Sequence, residues 1–254
     1  MEAAPESHRP REELRLEVQE TELPRNRTTR VGFRIVGPDG REVENFQVEH
    51  DKPMHLIVVR RDLTGFQHLH PELHDQGEWA TDITLPDAGS YRVFTDFNRD
   101  GESHTLEADL TVPGEAVYRP LPPPAADADT GDGYQVRLAG APSKAGEHSE
   151  LGFSVTLGHE EVAVEEYLGA RGHLVALREE DLAYLHVHPL GGGHGAGHRH
   201  EGVDPEDVRD GEEDAAAPIR FMAEFPSGGR YGLFLQFKHG GTVHTAAFTR
   251  EVAR

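Results

Sequence analysis

Of the 17 histidines in this 254-residue chain, eight sit at offsets that occur twice. HLIVVRRDLTGFQHLHP, from His55 to Pro71, returns as HLVALREEDLAYLHVHP, from His173 to Pro189, with all three histidines in register. Downstream, Tyr91, Phe94, Phe97, Gly101 and His104 keep the spacing of Tyr231, Phe234, Phe237, Gly241 and His244. The chain therefore reads as two copies of one domain, each holding four histidines at fixed offsets. Imidazole is the commonest protein metal ligand and is costly to bury without a polar partner, so metal binding is the chemistry these residues raise. Three or four neutral imidazoles suit Zn(II) or Cu(II), which accept nitrogen at about 2.0–2.1 Å, whereas Ca(II) and Mg(II) take oxygen. The chain has no cysteine, hence no thiolate to favour Cu(I), no disulfide and no thiol nucleophile.

Geometry decides whether the spacing makes a site. If His55 to Pro71 is one hairpin turning at Asp62-Leu63, paired positions sum to 125, so His55 faces His70 and Ile57 faces His68. Opposed residues, and residues two apart on one strand, share a face of the sheet, so the three imidazoles converge. The same construction sums to 361 in the second copy and places His173 opposite His188, with His186 beside them. His104 and His244 follow glycine turns and are candidate fourth ligands if their strand lies alongside. The same face also carries Ile57, Val59 and Phe66. The competing reading is thus a set of core histidines bonded to main-chain carbonyls or a carboxylate.

The second copy carries about 22 extra residues between His188 and Tyr231, a glycine, histidine and carboxylate tract at about 190–217. His194, His198 and His200 in it form a weak metal-collecting loop, with the acidic run from Asp204 to Asp214 adding electrostatic attraction. No catalytic residue is assigned. Glu72 stands too close to His70 for a cupin pattern, the second copy lacks a carboxylate there, and no serine sits in a nucleophile elbow.

Around these residues the sequence predicts short strands of β-branched and aromatic residues separated by turns, among them GPDG at 37–40 and NRDG at 98–101, with no convincing helix. The expected fold class is all-β, two tandem immunoglobulin-like antiparallel β-sandwich domains. The expected domains are a disordered N-terminus over 1–11, a first sandwich over 12–113, a Pro/Ala/Asp linker over 114–133, and a second sandwich over 134–254. The linker's proline run and acidic residues are expected neither to pair in a sheet nor to bury a face.

Asp87-Ala88-Gly89-Ser90-Tyr91-Arg92-Val93 resembles the D-A-G-x-Y-x-C signature that opens strand F of immunoglobulin-like domains, with Val93 in place of the cysteine. The resemblance makes Tyr91, and Tyr231 after Ser227-Gly228-Gly229, corner tyrosines whose hydroxyls bond back to the main chain. More broadly, the H-x-H-P ending and the Y-x2-F-x2-F-x3-G-x2-H-T run resemble secreted bacterial β-sandwich proteins of the YtkA-like and CopC-like groups. That resemblance implies an extracytoplasmic, copper-associated domain. It covers most of both copies, but the methionine-rich segment and N-terminal histidine of CopC-type sites are missing, so copper specificity does not carry over.

The net charge of −21 disfavours nucleic acid and anionic membranes as partners and favours metal ions. No apolar run is long enough for a bilayer-spanning helix and the start has no signal-peptide core, so neither membrane insertion nor an encoded export signal is expected of this chain. The sequence thus supports a non-enzymatic, extracytoplasmic protein binding Cu(II) or Zn(II) through one histidine cluster per domain. The alternatives are an adhesion or partner-binding module with structural histidines and another protein as partner, and, behind it, a metalloenzyme with an open coordination position.

Overall fold

A computed structural model of the chain describes residues 13–190 and 218–254. The expected disordered N-terminus and the histidine-rich insertion lie outside the described residues. The chain divides into two compact units, with the main boundary between Val117 and Tyr118.

The first unit holds strands β1 (Arg15–Val18), β2 (Thr29–Val36), β3 (Phe46–Gln47), β4 (His55–Arg60), β5 (Gln67–Leu69), β6 (Glu72–Leu73), β7 (Trp79–Ile83), β8 (Gly89–Arg99) and β9 (Glu102–Val112). One sheet runs β1-β2-β7-β6; the other runs β5-β4-β8-β9, with β3 pairing the end of β8. These are the A-B-E-D and C′-C-F-G orders of an immunoglobulin-like sandwich. Between the sheets lie Phe33, Leu56, Trp79, Val93, Phe97 and Leu110, all nearly inaccessible. Alternation sorts the strands: Leu56 and Val58 join this core, which puts His55 and Ile57 on the other face of β4.

The NRDG turn behaves as its residues demand. Arg99 pairs with Glu102, leaving Asp100 (φ 52°) and Gly101 (φ 81°) as a two-residue loop with both residues left-handed. Among the described residues there is no α-helix, only a three-residue 3₁₀ turn at Asp75–Gly77. Tyr91 closes the corner before β8: its hydroxyl donates to the Asp87 carbonyl at 2.8 Å and accepts from the Asp87 N–H at 3.2 Å.

The second unit repeats this plan with β10 (Asp127–Asp129), β11 (Tyr134–Ala139), β12 (Ser143–Lys144), β13 (His148–Leu157), β14 (Glu160–Glu161), β15 (His173–Arg178), β16 (Tyr184–Pro189), β17 (Ile219–Glu224), β18 (Gly229–His239) and β19 (Thr242–Ala253). Its strands run β10-β11-β13-β17-β16-β15-β18-β19-β12, with β14 on β13. The core is built on Phe153, Leu174, Phe221, Phe225, Leu233 and Phe237, and the Tyr231 hydroxyl donates to the Ser227 carbonyl at 2.8 Å.

β16 changes sheets midway: Tyr184–Val187 pair with β15, while His188 and Pro189 pair with Met222 and Phe221 of β17. In the first unit the same passage is interrupted at His70-Pro71, between β5 and β6. The H-x-H-P motif therefore marks the point where the chain crosses from one sheet to the other.

The linker departs from expectation. Asp127–Asp129 pair antiparallel with Gln135–Arg137, and Arg137 Nε donates to Asp127 Oδ1 at 2.7 Å. A segment whose acidic residues disfavour a strand becomes an edge strand because arginine stands opposite and the exposed carboxylates stay in water. Farther upstream, Arg230 donates to the carbonyls of Leu121 and Pro122 at 2.6 and 2.7 Å.

Candidate metal centre

The β4–β5 hairpin has the register that its length dictates. Leu56 pairs with Leu69, Ile57 with His68 and Val58 with Gln67, every pair summing to 125. The turn that sets this register includes Leu63 in a left-handed conformation (φ 64°), and Leu182 repeats it (φ 61°) in the second unit. There Leu174 pairs with Val187 and Val175 with His186, summing to 361.

His68 thus shares a face with Ile57 and with His55, and His70 follows two positions on. The ligand atoms of His55, His68 and His70 all lie within 4.8 Å of one another. Their ring centroids are 5.3, 5.0 and 4.8 Å apart, and His55 Nδ1 lies 3.1 Å from His68 Nε2, one donating to the other according to tautomer. An ion held tetrahedrally at about 2.0–2.1 Å needs nitrogens about 3.3 Å apart. The His55–His68 pair is already close to that spacing. His55 is buried at 3% exposure; His68 and His70 are half-buried. Burial, followed by the charges of His55 and Lys52, holds the His70 imidazole far below its ordinary 6.5, at about 3. The ring is therefore neutral at pH 7, the form that binds a metal.

His104 lies elsewhere. It pairs with Phe97 across the β8–β9 hairpin, one position along from Asp96, which pairs with His55. That single step puts His104 on the core side of the sheet, stacked on Phe97 at 5.4 Å, and outside the cluster. His244 has the equivalent place: it pairs with Phe237 and stacks on it at 5.3 Å. Its Nδ1 donates to Asp132 Oδ2 at 2.6 Å and its Nε2 lies 3.2 Å from the His239 carbonyl oxygen. The Thr130 hydroxyl and then His244 hold the Asp132 carboxyl below the usual carboxylate range. Neither His104 nor His244 is positioned as a fourth ligand. The two-residue NRDG turn carries the signal for this in the sequence, because it pairs His104 with a core phenylalanine.

In the second unit His173 is buried at 1% exposure, and its Nε2 donates to the Tyr167 carbonyl at 2.8 Å. In a neutral ring that bond leaves the lone pair on Nδ1. The strand positions of His186 and His188 are described, and their side chains lie outside the description, as do His194, His198 and His200.

Sequence reasoning missed Asp96. It is 8% exposed, stands directly opposite His55 on β8, and shares that histidine's face. Local turn chemistry cannot reveal it, because the pairing of β4 with β8 joins strands about 30 residues apart in the chain.

A tandem immunoglobulin-like β-sandwich protein whose first domain gathers three imidazoles at a sheet crossover is thus the class that fold and site define. A family model described as a domain of unknown function, DUF8832, matches residues 10–114 and 128–254. The chain belongs to that family. No curated protein sequence matches it. Among solved structures, α2-macroglobulin from Escherichia coli is 10% identical with a TM-score of 0.30, over 95% of this chain and 15% of that one. The E. coli adhesin FdeC is 11% identical at a TM-score of 0.28, over 95% of this chain and 64% of that one. A chimeric titin Z1Z2 tandem is 14% identical at 0.22, over 96% and 98%. The chain therefore spans a small part of the macroglobulin and just under two thirds of the adhesin.

Proposed function

We propose that this chain is a non-enzymatic, extracytoplasmic metal-binding protein that holds Cu(II) or Zn(II) at His55, His68 and His70. The observation that carries the reading is the approach of three ring nitrogens to within 4.8 Å of one another on one sheet face. Ligands of borderline softness without thiolate or a carboxylate in the cluster suit these two ions above Ca(II), Mg(II) or Cu(I). Two of the three rings are only half-buried, and a net charge of −21 favours cation approach. The second domain repeats the ligand positions as His173, His186 and His188. The His173 bond to a main-chain carbonyl is the outer contact that metal-bound histidines usually make, fixing the tautomer that leaves Nδ1 for an ion.

A partner-binding module with structural histidines is the second reading. It is favoured by His244, whose two nitrogens both face acceptors within the protein. Isothermal titration of the full chain with Zn(II) and Cu(II) separates the two. The metal reading expects about two tight equivalents and the loss of one in His68→Ala/His70→Ala, with far-UV circular dichroism unchanged. A wild-type chain that takes up neither ion defeats it.

A further inference from the structure

The two copies differ in charge at a position beside the histidine cluster. Where the first domain sets Asp96 against His55, the second sets Gln236 against His173, in the same register of the same strand pair. Both residues are buried to 8% exposure. Their outer neighbours also correspond: Asp96 Oδ1 lies 3.5 Å from the Thr105 hydroxyl, and Gln236 Nε2 lies 3.3 Å from the Thr245 hydroxyl. The copies therefore keep a buried polar side chain facing the equivalent threonine here, and change its charge.

Resting on the metal reading above, we infer that Asp96 is a positioning residue that gives the first-domain centre its counter-charge and makes it bind divalent ions more tightly than a neutral residue at that position would allow. Asp96 and His55 are directly opposed in the register of β4 and β8, and such residues have Cβ atoms about 4.5–5.5 Å apart, so the two side chains leave the sheet side by side on one face. It is outside the group of mutually close ligand atoms, which makes it a neighbour of a ligand and not a ligand itself. Three neutral imidazoles leave a bound divalent ion with its whole charge, in surroundings where His55 and Asp96 see little water. A carboxylate there lowers the electrostatic cost of binding, and a carboxylate behind a ligating histidine also makes the ring a stronger donor. Glutamine, at the matching place in the second domain, supplies neither effect.

The test uses the full chain with His186→Ala and His188→Ala, so that tight binding reports the first domain. Zn(II) affinity is measured by competition with a chromophoric chelator, and Cu(II) by electron paramagnetic resonance. Asp96→Asn keeps size and removes charge; it is expected to weaken binding about 10- to 100-fold at unchanged stoichiometry. The Cu(II) g∥ value is expected to rise as the centre becomes more positive, a signature that a merely structural role would not move. Asp96→Gln, which copies the second domain, is read the same way should the asparagine variant not fold. Affinity within twofold of the parent and an unchanged spectrum in a folded variant would overturn the inference and leave the metal reading standing. A parent chain that binds no ion overturns both.

Discussion

A neutral imidazole offers one lone pair and one N–H, and where each points decides what a histidine does. His244 turns both nitrogens to acceptors, while His55, His68 and His70 each bring one nitrogen toward the others. Crowding has a consequence at acid pH. The folded protein holds His70 neutral down to about 3, whereas the unfolded chain protonates it near 6.5. Through that window the unfolded state carries the additional proton, so stability is complete above about pH 6.5 and falls as pH falls toward 3. Solvent around the half-buried ring reduces the effect, which we place at about 1–2 kcal/mol between pH 7 and pH 5. Urea unfolding of the metal-free protein at both pH values should show this loss, and His70→Gln should show correspondingly less. Equal losses in the two proteins would mean that the buried imidazole is not the source. Of this centre, the histidine triplet was legible because a short hairpin fixes its own register. The exclusion of His104 was legible in principle from the neighbouring turn. Asp96 was not legible, because sequence pattern alone does not align β4 against β8.

At the scale of elements, the two corner tyrosines hold equivalent bends by equivalent bonds. Tyr91 both donates to and accepts from the Asp87 main chain, and Tyr231 donates to the Ser227 carbonyl. Tyr91→Phe leaves the shape of a fully buried ring and removes those bonds, at a cost of about 1–2 kcal/mol. In a domain of about 100 residues this lowers the unfolding midpoint by roughly 5–10 °C. Calorimetry should find the first-domain transition lowered in Tyr91→Phe and the second-domain transition lowered in Tyr231→Phe. A single transition moving equally in both variants would show that the corners do not stabilise their domains separately. These strands were readable because short β-branched and aromatic runs bounded by turn residues mark β4 and β8, and exposed–buried alternation marks β9. The Asp127–Asp129 strand was not, because its edge pairing depends on Arg137 in the following strand while its own residues favour solvent.

At the scale of the whole chain, a duplicated domain has diverged by charge at one buried position and by an insertion in one hairpin. The insertion's place follows from register. Pro189 pairs with Phe221, and the Leu190 N–H donates to the Arg220 carbonyl at 2.8 Å, so the two arms are already adjacent where the extra residues begin and end. The first domain makes the corresponding connection, between Leu73 and Trp79, with five residues. Shortening such a loop changes closure entropy only slightly, and the strands on either side keep their partners. Replacing residues 191–217 with a short Gly/Ser turn removes His194, His198, His200 and the acidic run while leaving all eight repeated histidines in place. On the metal reading, titration with Zn(II) should lose only the weak class of sites and keep the tight equivalents, with thermal unfolding within a few degrees of wild type. Should the tight equivalents disappear with the loop while the protein stays folded, the centre belongs to the insertion, and the convergence of His55, His68 and His70 must be read as packing.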